Sequence, residues 1–233
     1  MKSPGYYFDL RDELVQHIFR RTTNVWEVLH QLPELVDELT EGRRKIKGTV
    51  MRGAELSTSP LYVGAGAVIE PGSYIAGSAY IGDGVTVRHG AYVRDGCILL
   101  AGSLIGHASE AKNALLLPGA KAPHFAYVGD SVLGHRVNLG AGTKISNLKI
   151  TSSNDSTVQF EIAGEKVDTG LRKMGAILGD DVQIGCNAVL NPGALLGPKC
   201  IVYAGTVISK GFYGNSTIIK FRQSHETATL EER

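Results

Sequence analysis

From Val63 onward an aliphatic residue returns at every sixth position: Val63, Ile69, Ile75, Ile81, Val87, Val93, Leu99 and Ile105, then Ala111 and Leu117. The beat resumes at Leu178 and continues through Ile184, Leu190, Leu196, Val202 and Ile208. Four residues after most beats stands a smaller residue, among them Ala67, Ser73, Ala79, Ala91, Cys97, Ala188, Ala194 and Cys200. An amphipathic helix repeats near 3.6 residues and a half-buried strand near 2, so neither accounts for a period of six. Hexads do describe a parallel β-helix, in which three repeats close one triangular coil of about 18 residues. The large and the small residue of each hexad point inward, and glycines, as in "IGDG", relieve the corners. Coils stack about 4.8 Å apart. They are expected from about Val50 to Ser209. Cys97 and Cys200 fall in the small inward slot, which reads as core packing rather than reactivity.

Three segments depart from the beat. Residues 1–47 show helical spacing instead, with Leu14 and Ile18, then Val25, Val28, Leu32, Leu35 and Leu39. Asn24 and Glu27 form a capping-box pattern, Gly42 is a stop, and Pro33 is a point where the second helix kinks or splits. These residues are expected to form a helical cap over the open end of the prism, whose strand edges are otherwise unpaired. Residues 48–210 are expected to be β-helix. An insertion at 151–175 alternates at Val158, Phe160 and Ile162 and turns at "AGEK", the pattern of a hairpin projecting from the prism. Residues 211–233 are expected to begin as a strand and end as a polar tail.

The composition excludes several classes. The 24 basic residues are balanced by 23 acidic ones, which argues against nucleic acid as a partner. No apolar run approaches the roughly 20 residues of a membrane span. The start "MKSPGYYFDLRDEL" lacks a secretory h-region, and three scattered cysteines form neither a disulfide framework nor a zinc site. A cytoplasmic protein is expected.

The coil length lets residues 18 apart be read as stacked neighbours. Arg94 and Lys112 form such a pair, each one position after an inward residue. Two cations about 5 Å apart repel unless an anion or a carboxylate joins them. The alternatives are an oxyanion site, phosphate above all, or two solvated side chains, one paired with Asp95 or Glu110. His89 and His107 are also 18 apart, but no further ligand spacing accompanies them, so no metal is expected. Cys186 and Ala204 are a third stacked pair, both small, at a corner where a groove can form. After Leu117 the beat passes to Pro123, Val128, Leu133, Leu139 and Ile145, and two of those steps are five residues long. A short step re-aims side chains, as a bulge does. His124, Tyr127, Asn138 and Asn147 stand around it, and His124 is either a structural donor or a general base.

The stretch "AKNALLLPGAKAPHFAYVGDSVLGHRVNLGAGTKISN", with "ILGDDVQIGCNAVLNPGALLGP" and "VYAGTVIS", resembles a known family. It is similar to the left-handed β-helix acetyltransferase domain of the bifunctional bacterial enzyme that makes UDP-N-acetylglucosamine. It is more similar to the C-terminal half of archaeal sugar-1-phosphate nucleotidylyltransferases, where "GLRKMGA" and "VWEVL" also find matches. The resemblance covers roughly Val25 to Ser209 and implies an all-β, left-handed parallel β-helix acting as a homotrimer with sites between prisms. It implies acetyl transfer from acetyl-CoA to the amine of an amino-sugar phosphate such as glucosamine-1-phosphate. By position, His124 matches the family's catalytic base, and Arg94 and Lys112 match its phosphate-binding cations. Tyr127, Asn138 and Asn147 match residues that hold sugar and phosphate, and Lys173 is the match to a substrate-contacting lysine. Ala141, Cys186 and Ala204 match the acetyl-CoA channel.

The departures are Leu148 in place of a tyrosine, Cys186 in place of a serine, and the absence of a nucleotidyltransferase half from residues 1–47. Two other readings stand beside the enzyme: a non-catalytic β-helix subunit partnering a separate nucleotidyltransferase chain, and an acyltransferase acting on a nucleotide-linked sugar amine or a hydroxyl.

Overall fold

The computed structural model describes residues 1–150 and 156–222. Residues 151–155 of the expected insertion and 223–233 of the expected tail lie outside them.

Short parallel strands stack into a three-walled, left-handed β-helix. Wall A runs from Arg44–Ile46 to Gly211–Tyr213, wall B from Thr49–Val50 to Ile218–Ile219, and wall C from Glu55–Leu56 to Val207–Ile208. Wall B is a 9-stranded sheet of its own. Walls A and C merge into one 15-stranded sheet because two strands, Glu110–Leu116 and Tyr127–Leu133, run through the corner between them. The coils begin at Arg44 rather than near Val50, since Arg44–Ile46 already pairs with Leu61–Val63. They continue past Ser209 to Ile219.

Inward residues form ladders. Leu99, Leu116, Leu133, Leu178 and Leu196 lie one above another, all fully buried. The core corrects the sequence reading at two beats: Leu116, not Leu117, and Ala122, not Pro123, face inward. The five-residue steps therefore run from Ala111 to Leu116 and from Val128 to Leu133, where the two long strands take the C–A corner.

Wall A is apolar on its outer side as well. Ile98, Leu115, Val132, Ile177 and Leu195 form a second ladder there. Such a stripe needs a cover, each side chain contributing about 1.5–3 kcal/mol on burial. The N-terminal helices supply it: α1 (Pro4–Tyr7), α2 (Glu13–Phe19) and α3 (Val28–Thr40). Helix α3 buries Val28, Leu29, Leu32, Leu35 and Val36 and touches successive strands of wall A. The helical segment expected from the sequence is present, but it lies along a wall rather than over an end, because the wall carries the exposed apolar ladder. The Asn24–Glu27 capping box forms as expected.

The insertion is also a hairpin, Gln159–Ile162 against Glu165–Asp168, turning at Ala163 and Gly164, both with positive φ. It does not project. Phe160 meets Trp26 edge-on at 5.3 Å, and Val158, Ile162 and Val167 are buried in the same cluster, so the hairpin completes the cover of wall A. Walls B and C have no such cover among the described residues. Among the described residues, no helix is long and apolar enough to cross a membrane.

Candidate active site at the edges of wall C

The B–C corner carries one column of residues. Successive coils place His89, His107, His124, Ala141, Cys186 and Ala204 at the same corner position, joined backbone to backbone. His107 O accepts from Phe125 N (2.9 Å), His124 O from Gly142 N (3.0 Å), Ala141 O from Asn187 N (2.8 Å) and Cys186 O from Gly205 N (2.8 Å). The resemblance named His124 as base and Ala141, Cys186 and Ala204 as channel, and these four share one edge. Below His124 the column is small: Ala141, Cys186 and Ala204 carry no bulky side chain. Above it imidazoles fill the column: His89 and His107 stack with centroids 5.6 Å apart.

Those two rings are tied down. His89 Nδ1 faces Pro71 O at 2.6 Å and His107 Nδ1 faces His89 O at 3.0 Å, so each donates a proton to a carbonyl. His124 differs. It is exposed, and its ring has no hydrogen-bond partner among the described residues. A free imidazole at the head of a column of small side chains can accept a proton. No group of three or more metal-ligating side chains occurs among the described residues.

The opposite edge of wall C, the C–A corner, holds the polar cluster. Arg94 pairs with Glu110 at 2.8 Å and leans over the Tyr92 ring, so its guanidinium lies on wall C. Lys112 pairs with Asp130 at 3.3 Å. The two cations are thus held by separate carboxylates, and Glu110 is one of the partners foreseen for this pair. The hydrogen bond from Arg94 to Glu110 holds the guanidinium pKa above its ordinary value.

Asp130 is the hub of this corner, and sequence reasoning missed it. It is 5% exposed, with φ +43, and it accepts from Lys112, Asn113 Nδ2 (3.0 Å) and Asn147 Nδ2. The signal was present in "YVGDS": a charged residue at the corner that the short step shrinks. Tyr127 bends toward the same corner. Its hydroxyl lies 3.5 Å from Asn147 Oδ1, and a Cβ on Gly129 would come within 2.7 Å of that hydroxyl, so only glycine leaves room for the ring. Burial first, then the charges of Glu110 and Asp130, raise the Tyr127 pKa, which keeps the phenol protonated near neutral pH.

The insertion returns into this cluster. Met174 N donates to Asn147 O (3.0 Å) and Gly175 N to Asp130 O (2.8 Å), which fixes Lys173 beside the corner despite the long intervening loop. Helix α3 is joined to it as well. Pro33 neither splits the helix nor donates to Leu29 O, the carbonyl four residues back. That carbonyl accepts instead from Asn113 Nδ2 at 3.1 Å. Asn138 stands apart. It pairs with Lys121 and Gln183 on wall B, across the B–C corner from Tyr127.

One protomer thus carries His124 on one edge of wall C and Arg94, Lys112, Tyr127, Asn147 and Lys173 over the wall and at its other edge. Asn138 faces a different wall.

Comparison with known proteins agrees with the repeat. A family described as bacterial transferase hexapeptide (six repeats) matches residues 60–95 and 175–210. A bifunctional sugar-1-phosphate nucleotidylyltransferase/acetyltransferase of Sulfurisphaera tokodaii is 38% identical over 106 residues, 46% of this chain and 26% of that protein. A bifunctional GlmU protein of Methanococcus maripaludis is 33% identical over 195 residues, 84% of this chain and 46% of its own length. The chain spans less than half the length of these curated relatives. Among solved structures, a hexapeptide-repeat acetyltransferase of Vibrio cholerae is 14% identical and covers 91% of this chain and 96% of its own, at a TM-score of 0.28. The chain carries the hexapeptide repeat over residues 60–95 and 175–210 and resembles the sugar-1-phosphate nucleotidylyltransferase/acetyltransferases and GlmU proteins.

Proposed function

We propose that the protein is an acetyl-CoA-dependent N-acetyltransferase acting on an amino-sugar phosphate of the glucosamine-1-phosphate type, working as a homotrimer with its sites between neighbouring prisms. One observation carries this reading: the free imidazole of His124 heads the corner column that continues through Ala141, Cys186 and Ala204.

Acetyl-CoA supplies an activated acyl thioester. Its fit is supported by the small side chains of Ala141, Cys186 and Ala204, which leave the corner open for a narrow chain. His124 accepts the proton that the acceptor amine loses as its nitrogen bonds to the acyl carbon, and the same imidazole returns it to the departing thiol. Such a base contributes typically 10²–10⁴-fold. Tyr127 and Asn147 orient the sugar hydroxyls, and Arg94, Lys112 and Lys173 favour the phosphate end. Asn138, on wall B, belongs to this reading as a residue that a neighbouring prism brings to wall C.

A second reading, a binding subunit that partners a separate nucleotidyltransferase chain, draws on the Arg94–Glu110 and Lys112–Asp130 pairs, which already neutralise the phosphate clamp. Two measurements separate them. Thiol release is followed over a panel of amino-sugar phosphates, free amino sugars and nucleotide-linked amino sugars. Alkylation of Cys186 is followed with and without CoA. Acceptor-dependent thiol release with protection of Cys186 supports the enzyme. No release with any acceptor, together with co-purification of a nucleotidyltransferase, supports the partner.

A further inference from the structure

Two basic side chains that have no carboxylate partner among the described residues, His30 and Lys173, meet one step beyond the C–A corner. A cleft of about 250 Å³ opens there between helix α3 and the returning arm of the insertion, lined by Leu29, His30, Asn113, Asp130, Arg172 and Lys173. Arg94 and Lys112 have their carboxylates. His30 and Lys173 are exposed, and among the described residues neither side chain has a hydrogen-bond or ion-pair partner. Arg172 also lines the cleft but is engaged in an interaction of its own. Among the described residues the only carboxylate in the lining, Asp130, is buried and accepts from Lys112, Asn113 and Asn147, so its charge is spent inside the wall. Glu34, one helical turn from His30, is engaged by Arg21 at 3.0 Å.

The cleft is held in shape from three sides. Asn113 Nδ2 bridges Leu29 O and Asp130 Oδ1. Gly175 N is fixed on Asp130 O, and Met174 N on Asn147 O. His30 and Lys173 are therefore presented from two anchored backbones rather than from mobile loops, and a tetrahedral oxyanion between them meets donors with little further ordering.

We propose that this cleft is a phosphate-class anion site, in which His30 of α3 and Lys173 of the insertion's returning arm hold the oxyanion. The N-terminal helices are then part of the acceptor's recognition and not only a cover for wall A. The inference deepens the proposed function by assigning the acceptor's anionic group a place, and its test does not need turnover.

The test is a titration of the full-length chain with inorganic phosphate, followed through the imidazole nitrogen resonances of His30 assigned with His30→Gln. Saturable shifts of the His30 resonances that are weakened about tenfold or more in Lys173→Gln are expected, one charge-assisted contact being worth about that factor. Unmoved His30 resonances, or a midpoint unchanged by Lys173→Gln, overturn the proposal even if acyl transfer is confirmed. Kinetics then identify the source of the anion. A KM for the phosphorylated acceptor raised about tenfold in His30→Gln, with kcat and the KM for acetyl-CoA held, shows that the acceptor's own phosphate occupies the cleft. An unchanged KM alongside the phosphate-induced shifts shows a site for free phosphate. If no acceptor is acetylated, the titration still decides the site, so the two proposals fail separately.

Discussion

Asp130 shows how much of a site can rest on one residue. Its carboxylate joins Lys112, Asn113 and Asn147, and through Asn113 it reaches helix α3. Asp130→Ala leaves a partly buried ammonium and two amides without their acceptor. It is expected to lower stability by about 2 kcal/mol, the loss moderated by the remaining exposure of Lys112. Urea denaturation of the variant measures this, and a stability equal to the parent's would show that the cluster is only a surface arrangement. The cysteines give a second residue-scale prediction. Cys97 is buried in the core, and burial pushes its thiol up to about 12; Cys200 is raised for the same reason, while Cys186 is exposed. Native protein is therefore expected to give one fast-reacting thiol and two that react only on unfolding, counted by mass after brief alkylation. The inward cysteines were legible from their slot in the hexad. Asp130 and the Leu29–Asn113 contact were not, because hexad spacing fixes which residues face in or out but says nothing of which outward groups meet across a corner.

Among the elements, the short C–A corners matter most. Removing one residue at Lys112–Asn113 and again at Gly129–Asp130 fuses walls C and A into continuous strands and puts Asn113 and Asp130 at positive φ. Inserting one glycine between Lys112 and Asn113 restores a six-residue step. The coil is expected to survive, with unchanged circular dichroism, while acceptor-dependent thiol release falls by more than tenfold as the cluster disconnects. Retained activity would separate the cluster from catalysis. The short step from Val128 to Leu133 was visible in the sequence, but the first one was placed two corners late, from Pro123 to Val128, because Leu115, Leu116 and Leu117 offer three equivalent aliphatics. Only the outer apolar ladder of wall A decides among them. The same ladder explains why helices and hairpin fold onto a wall instead of capping an end or projecting: they cover apolar surface that no inward pattern accounts for. Trp26 and Phe160 join the two covers, and Phe160→Ala is expected to destabilise by about 3 kcal/mol, read from the shift in thermal or urea midpoint.

At the scale of the molecule, the described residues cover one wall and leave two bare. The bare walls and their shared corner carry exposed apolar side chains: Val207 is 62% exposed, Phe125 53%, Ile218 52% and Tyr203 50%. Such a surface suits association with copies of the same chain. Three chains of 24.9 kDa should elute as a particle of about 75 kDa by light scattering, and Val207→Glu should shift the population toward monomer. Trimer formation would also bring Asn138, isolated on wall B, toward a neighbour's wall C. The fold class was legible because the hexad is dictated by a core that repeats every coil. The proposed pairing of edges across subunits was not, since no single chain would contain it. What unites the scales is the claim that the lone untethered imidazole of the B–C corner performs proton transfer for an acyl group laid along that corner. The direct measurement is CoA release with acetyl-CoA and an amino-sugar phosphate, for the parent and for His124→Ala at matched thermal stability. Acceptor-dependent release that falls about a hundredfold or more in the variant is the predicted result; turnover close to the parent's in His124→Ala would contradict it.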